Sequence, residues 1–129
     1  MDWGDYSAYY PAEMLQKMRA KTLMGPGGAV AHQEMSLSVM EIDPGAHYPP
    51  HRHEAPEAYY VVQGEAECEF GDERLVARPG SAIYTRSGRI HSFRNTGEEK
   101  FVAVAFWWAP AGNAGALQSD LVLELGLSQ

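Results

Sequence analysis

The chain is predicted to be an all-β protein, folded as a single sandwich or small barrel with a short N-terminal helix. Its 129 residues suit one domain, because a single core usually takes ~100–150 residues. Runs in which apolar and polar residues alternate, as in half-buried strands, recur between residues 35 and 108. Turn signals rich in Gly, Pro, Asn and Asp separate these runs at short intervals. Strands joined by tight turns, without intervening helices, pair as antiparallel neighbours.

A helix of about three turns is expected first, from Pro11 to Ala20, since proline is favoured at the first helical position. Met14, Leu15 and Met18 would share one face of this helix. A loop rich in Gly and Pro, residues 25–28, ends it.

The strands follow this loop. They are predicted at Met35–Ile42, Glu57–Val62, Ala66–Phe70, Arg74–Ala77, Ser81–Thr85, Ile90–Arg94 and Phe101–Trp108. The leucine-rich tail, residues 117–127, is either an edge strand or a short helix, because its periodicity does not separate the two. We divide the chain into residues 1–34, the helix and loop that pack on the barrel, 35–110, the barrel, and 111–129, the tail.

Charge and composition restrict the partners and the location of the protein. Ten basic residues against seventeen acidic ones give a net charge of -7 without a basic stripe, so neither nucleic acid nor a membrane surface is expected as a partner. The first residues lack the basic start and apolar stretch of a secretory signal, and Phe101–Ala109 is too short to span a bilayer. The lone cysteine, Cys68, cannot close an intramolecular disulfide. We therefore expect a soluble cytoplasmic protein.

The histidines are the main anomaly of the sequence. His47, His51 and His53 fall within seven residues, and Glu57 follows at the start of the next predicted strand. On an extended backbone, His51 and His53 project from the same face. His91 opens another predicted strand after a glycine turn and could complete the set from across a barrel.

Three neutral imidazoles and one carboxylate suit a divalent transition metal ion, and the sequence does not choose among Zn, Fe, Ni, Mn and Co. The competing interpretation is a solvated surface loop rich in His and Glu. The His-x-His pair alone favours that interpretation, whereas Glu57 in register and His91 after its turn favour a metal site. We predict His51, His53, Glu57 and His91 as the ligands.

Two longer patterns contain these four residues. The first is Gly45-x5-His51-x-His53-x3-Glu57-x6-Gly64, and the second is Gly80-x5-Arg86-x-Gly88-x2-His91-x3-Asn95. They resemble the two motifs of the cupin superfamily, with one departure, because that family has proline where this chain has Arg86. The resemblance extends from about Met35 to Trp108. It implies a single-domain jelly-roll barrel that binds one metal ion through the predicted ligands. The resemblance is a weak guide to the activity, because members of this superfamily differ in what they do.

A narrower resemblance concerns the segments His47–Tyr59, His91–Phe93 and Phe106–Trp108. They are similar to the cupin-type dimethylsulfoniopropionate lyases, which have a tyrosine three residues before the first metal histidine and another two after the metal glutamate. Tyr48 and Tyr59 occupy those positions. The resemblance implies that one such tyrosine removes the proton beside the substrate carboxylate, releasing dimethyl sulfide and acrylate. Many of those lyases carry a longer N-terminal helical region than this chain.

The leading hypothesis is therefore a metal-dependent lyase that cleaves a small carboxylate by α-proton abstraction and β-elimination. Tyr59 is the predicted general base, because a nearby cation favours a phenolate, and Tyr48 is a positioning or alternative basic group. Tyr59 could instead be an aromatic side chain that fills the barrel. The alternatives for the whole protein are an iron-dependent cupin dioxygenase or isomerase, and a non-catalytic module that binds a small molecule.

A homodimer is also expected. The apolar residues Met14, Leu15 and Met18 and the tail residues 121–127 need to be covered, and two-fold dimers are the commonest solution. The family resemblance likewise implies dimers.

Overall fold

The computed structural model describes residues 3, 5, 11–25, 28, 35–108 and 122–123. One short helix, α1 (Ala12–Leu15), precedes the strands. These are β1 (Met18–Met24), β2 (Met35–Ile42), β3 (His47–Arg52), β4 (Glu57–Gln63), β5 (Ala66–Phe70), β6 (Glu73–Ala77), β7 (Ala82–Thr85), β8 (His91–Asn95), β9 (Phe101–Trp108) and β10 (Val122–Leu123). Among the described residues, no helix has the length and apolar character needed to cross a bilayer.

The strands form two five-stranded sheets, and every pairing is antiparallel. The first sheet has the order β1-β2-β9-β4-β7 and the second has the order β10-β3-β8-β5-β6. Their inner faces meet in an apolar core that includes Ile42, Phe70, Phe93 and Phe101, all at most 1% exposed. The ring of Tyr59 in the first sheet lies edge-on to that of Phe93 in the second, with centroids 4.9 Å apart. The predicted all-β jelly-roll barrel with a short N-terminal helix is confirmed.

Most strand bounds agree with the prediction. The bounds of β2, β5 and β9 are the predicted ones, and those of β4, β6, β7 and β8 differ by one residue at one or both ends. Within the tail, Val122 and Leu123 pair with Arg52 and His51, so this part of the chain is an edge strand rather than a helix. The division into 1–34, 35–110 and 111–129 stays a prediction.

The helix predicted from Pro11 to Ala20 is wrong beyond Leu15. Residues from Met18 onward instead form β1, which pairs with β2 from Met18↔Ile42 to Met24↔Leu37. Helix propensity is a weak preference that tertiary contacts override. Here the strand buries Met18 and places Arg19 against two carboxylates of the β2 region, Glu41 and Asp43, at 2.8 Å each.

This correction also affects the homodimer prediction. Met18 is 3% exposed within the core, and Met14 packs against that core, so both methionines cover this chain's own interior. The tail residues 121 and 124–127 lie outside the described residues. The homodimer stays a prediction.

Strand β3 was absent from the predicted strands because it contains Pro49 and Pro50, and proline lacks the N–H that a sheet ladder uses. In the structure, the pairing of β3 with β8 shifts between Tyr48 and His51, which places both prolines in an irregular stretch. The strand therefore continues on either side of the prolines.

Gly64 follows β4 and has a positive φ of +81°, and its missing side chain allows a close approach of the main chain. A Cβ at Gly64 would lie 2.5 Å from the Lys100 carbonyl oxygen and 2.9 Å from Phe101 Cα. Gly80, with φ +91°, has nothing within 4 Å of the same position.

We expect Gly80→Ala to lower the free energy of unfolding by roughly 1–2 kcal/mol, because alanine disfavours the left-handed backbone. Gly64→Ala should cost about 2 kcal/mol more because the backbone must also move. Urea unfolding measures both losses, and equal losses would contradict the contact.

Cys68 in β5 is 0% exposed, and burial raises the pKa of its thiol to about 12. The thiolate is the reactive form, so the thiol stays protonated and unreactive at any pH well below that value. We expect a thiol reagent near neutral pH to label the native protein only as fast as it unfolds, and to label it fully in denaturant. Rapid labelling of the native protein would contradict the burial of Cys68.

Candidate functional site

Three histidines from two neighbouring strands converge inside the barrel. His51 lies in β3, His53 follows that strand, and His91 opens β8 directly opposite His51 in the register. One ring nitrogen of each lies within 4.8 Å of those of the other two, and the three side chains are at most 5% exposed. We call these three residues the histidine trio.

Each imidazole of the trio is held by a main-chain carbonyl two residues away along the chain. The Nδ1 contacts run to the oxygens of Pro49, Ala55 and Arg89, at 2.9, 2.7 and 2.8 Å from His51, His53 and His91 respectively. A carbonyl oxygen only accepts, so Nδ1 carries the proton and donates it. In the neutral imidazole Nε2 then keeps a lone pair, the arrangement found in metal-binding histidines.

The Glu57 carboxylate lies against this trio. Its Oε1 is 3.1 Å from Nε2 of His53 and 3.4 Å from Nε2 of His91, and the side chain is buried. Lone pairs on nitrogen and a carboxylate repel each other unless a cation or a proton lies between them. His91 Nε2 also has no hydrogen-bond partner among the described residues. The geometry therefore fits a shared positive ion.

The protonation states agree with that chemistry. Burial, followed by the charge of His91, lowers the pKa of His51 well below its usual 6.5, so His51 is neutral and able to ligate. Burial alone would raise the pKa of Glu57. The nearby imidazoles of His53 and His91 outweigh burial and lower that pKa, so the carboxylate is ionised. Three buried histidines could thus hold a divalent transition metal ion, with Glu57 as an anionic neighbour.

Tyr59 lies on the same strand face as Glu57, as the alternation predicted. Its side chain is 3% exposed, and its hydroxyl donates a hydrogen bond to Glu57 Oε1. Its ring is edge-on to His91, with centroids 6.0 Å apart. Tyr59 therefore contributes to the interior packing and also places a hydroxyl beside the trio.

Tyr48 also reaches the trio, and its orientation could not be predicted from alternation along the strand. Its ring stacks on that of His51, with centroids 4.0 Å apart and planes at 8°, and it is 8% exposed. The residues are three apart and would face opposite sides of a regular strand. The register shift between them brings both rings to one side.

Two further residues beside Glu57 were not assigned to the site from the sequence. Thr85 in β7 and Trp107 in β9 are its direct neighbours across the first sheet. Thr85 is fully buried, and the Trp107 ring lies 4.8 Å from that of His53. Alternation in β7 could have placed Thr85 inside with Ile83. Which of Trp107 and Trp108 faces inward depended on the register with β4.

His47 is not part of the trio. It is half-buried opposite Arg94 on the second sheet, in a shallow groove with Glu67 and Glu69. Burial and the Arg94 charge lower its pKa. His47 is therefore a suitable control residue for substitutions of the candidate ligands.

The matches to known proteins agree with this site. The cupin domain model matches residues 38–107, more than half of the 129 residues. The chain belongs to the cupin domain family. The predicted membership, with its likeness to dimethylsulfoniopropionate lyases, is confirmed.

This cupin is 31% identical over 97 residues to the dimethylsulfoniopropionate lyase DddQ of Ruegeria pomeroyi. The match covers 74% of this chain and 48% of DddQ. The crystal structure of that lyase superposes with a TM-score of 0.80 at 28% identity, over 95% of this chain and 60% of the other. An oxalate-binding protein of Thermotoga maritima is 34% identical over 68 residues, covering 50% of this chain and 56% of that protein. The chain thus spans about half the length of DddQ.

The remaining cupin motif positions are structural. Asn95 is 1% exposed, and its Nδ2 donates to the carbonyl oxygens of Ile42 and Glu99 at 2.8 and 2.9 Å. Arg86, where the family has proline, is exposed in the turn before His91. That turn still joins the two motifs, because Gly88 N–H donates to the His53 carbonyl at 2.8 Å. The departure at Arg86 leaves His91 in the trio.

Proposed function

We propose that this cupin is a metal-dependent lyase acting on a small carboxylate. His51, His53, Glu57 and His91 would hold one divalent transition metal ion, which is Zn, Fe, Ni, Mn or Co. The observation that carries the proposal is the histidine trio, whose Nδ1 atoms are fixed by main-chain carbonyls while Nε2 atoms lie beside the Glu57 carboxylate.

When bound, such an ion would withdraw charge from the substrate carboxylate and make the proton on the adjacent carbon easier to remove. Tyr59, whose hydroxyl contacts Glu57 beside the trio, would take that proton as a phenolate, its own hydroxyl proton having left to solvent. A bound cation would favour that phenolate. The C–H electron pair forms the new double bond, and the carbon–sulfur pair leaves with sulfur. For dimethylsulfoniopropionate, the products are acrylate, neutral dimethyl sulfide and one proton.

Two observations support this choice of reaction. The chain is similar to a protein named dimethylsulfoniopropionate lyase in both sequence and structure. Tyr48 and Tyr59, the tyrosines that the resemblance singles out, both lie against the trio.

A non-catalytic carboxylate-binding protein is the second candidate. It is supported by the likeness to the oxalate-binding protein of Thermotoga maritima. The two candidates share the metal ligands and differ in whether Tyr59 moves a proton.

The test is to strip the purified protein with a chelator, reconstitute it separately with each of the five ions, and add dimethylsulfoniopropionate. We expect acrylate and dimethyl sulfide in equal amounts with at least one ion. Binding of small carboxylates without product would favour the second candidate. Substrate-dependent oxygen uptake by the ferrous protein would favour the dioxygenase.

The cytoplasmic location stays a prediction.

A further inference from the structure

Two buried polar atoms on the inner face of the first sheet have no hydrogen-bond partner among the described residues. They are Thr85 Oγ1 and Trp107 Nε1. Thr85 is 0% exposed, so its hydroxyl is also shielded from solvent. Nearly all buried polar groups in proteins are hydrogen-bonded, and leaving one unpaired is costly. The two atoms therefore call for a partner that the described residues do not supply.

Both side chains flank the carboxylate of the candidate metal centre. Glu57 lies directly opposite Thr85 on one side and opposite Trp107 on the other. Directly opposed residues on antiparallel strands project to the same face, with Cβ atoms ~4.5–5.5 Å apart. Glu57 reaches His53 and His91, and the Trp107 ring also contacts His53. The unpaired atoms thus lie in one row beside the histidine trio.

The chemistry of the pair selects the kind of partner. An indole N–H only donates, and a hydroxyl can donate as well. Two donors in a water-poor interior suit an acceptor of negative charge rather than a cation. The Glu57 Oε1 atom already accepts the hydroxyl of Tyr59.

We infer that the Thr85 hydroxyl and the Trp107 indole N–H bind the carboxylate of the ligand that enters the candidate metal centre. This inference rests on the proposed function, because it takes the ligand to be a small carboxylate. It adds two specificity-determining residues to the candidate metal ligands and tyrosines of the site.

The variant Thr85→Val removes the hydroxyl while keeping the shape of the side chain, and it gives two readouts. In metal-free protein, the thermal midpoint should rise by about 3–5 °C, because an unpaired buried hydroxyl is replaced by a methyl group. In metal-loaded protein, affinity for propionate should fall about tenfold, whereas affinity for the neutral analogue propionamide should change little.

Trp107→Phe should likewise lose affinity for propionate while its affinity for propionamide changes little. Thr22→Val in β1, at the far edge of the same sheet, is the matched control and should keep the wild-type propionate affinity. Calorimetric titration measures the affinities.

A Thr85→Val variant with a lower midpoint would mean that the hydroxyl is already bonded, to the protein or to a trapped water, and would overturn its assignment. Unchanged propionate affinity in either variant overturns the assignment of that residue. Wild-type metal-loaded protein that binds no propionate overturns both. If the affinities change as expected but dimethylsulfoniopropionate is not cleaved, the lyase proposal fails and the inference stands.

Discussion

Tyr59→Phe should lower lyase turnover by about 10²–10⁴-fold, while one metal ion remains bound per chain. The substitution removes only the hydroxyl that lies on Glu57 and keeps the ring that packs against Phe93. The fold and the ligand set should therefore persist while the proton acceptor is lost. Acrylate release and metal content, measured on the same preparation, check both halves of the expectation.

Tyr60→Phe is the matched control, because Tyr60 is the next residue of the same strand, is 52% exposed and faces away from the site. It should keep wild-type turnover. Tyr48→Phe keeps the aromatic stack on His51. If Tyr48 only positions the His51 ring, this variant should lose less turnover than Tyr59→Phe. Full activity in Tyr59→Phe, or a greater loss in Tyr48→Phe, would move the role of base away from Tyr59.

His91→Ala should release the metal ion, with the dissociation constant raised at least about 100-fold, since loss of an outer hydrogen bond to a ligand alone costs 10–100-fold. His91 is one of three nitrogens that share one centre, and its Nε2 has no hydrogen-bond partner among the described residues. Elemental analysis and competition with a coloured chelator measure the change. His47→Ala should retain the metal ion, because His47 lies outside the trio.

Circular dichroism should accompany both histidine variants, so that loss of metal is separated from loss of fold. His51→Ala gives a second reading of the same centre from the opposite strand. Stoichiometric metal in both His91→Ala and His51→Ala would refute the trio as the binding site. Loss of metal from His47→Ala alone would do the same.

Much of the site follows from spacing along the chain. Glu57 and Tyr59 are two residues apart in a regular strand, so alternation alone places them on one face, and the structure has them in contact. The grouping of the trio was predicted on the same basis for His51 and His53, and for His91 on its place at the start of a strand after a glycine turn, which the cupin resemblance then supported. Strand β2 was predicted to the residue because apolar and polar residues alternate over most of its length.

The wrong helix bounds and the undetermined orientation of Tyr48 share a different cause. The segment from Met18 to Ala20 has local helix propensity, but its pairing with β2 residues 20 to 24 positions later gives it strand geometry. Tyr48 was predicted as a site residue from the resemblance alone. Its contact with His51 depends on a shift of the β3–β8 ladder at two prolines, and no rule of alternation applies across such a shift.

The amino-acid sequence by itself determined the class of fold, the turns, and the identity of the candidate ligands, since these depend on residues close together in the chain. Only the tertiary structure decided that Trp107 rather than Trp108 faces the histidines, and that Thr85 lies beside Glu57. Those facts depend on the register between strands distant in sequence. The periodicity of one strand indicates which of its faces is buried. Which residues lie opposite one another also depends on the turns and on the packing of both strands.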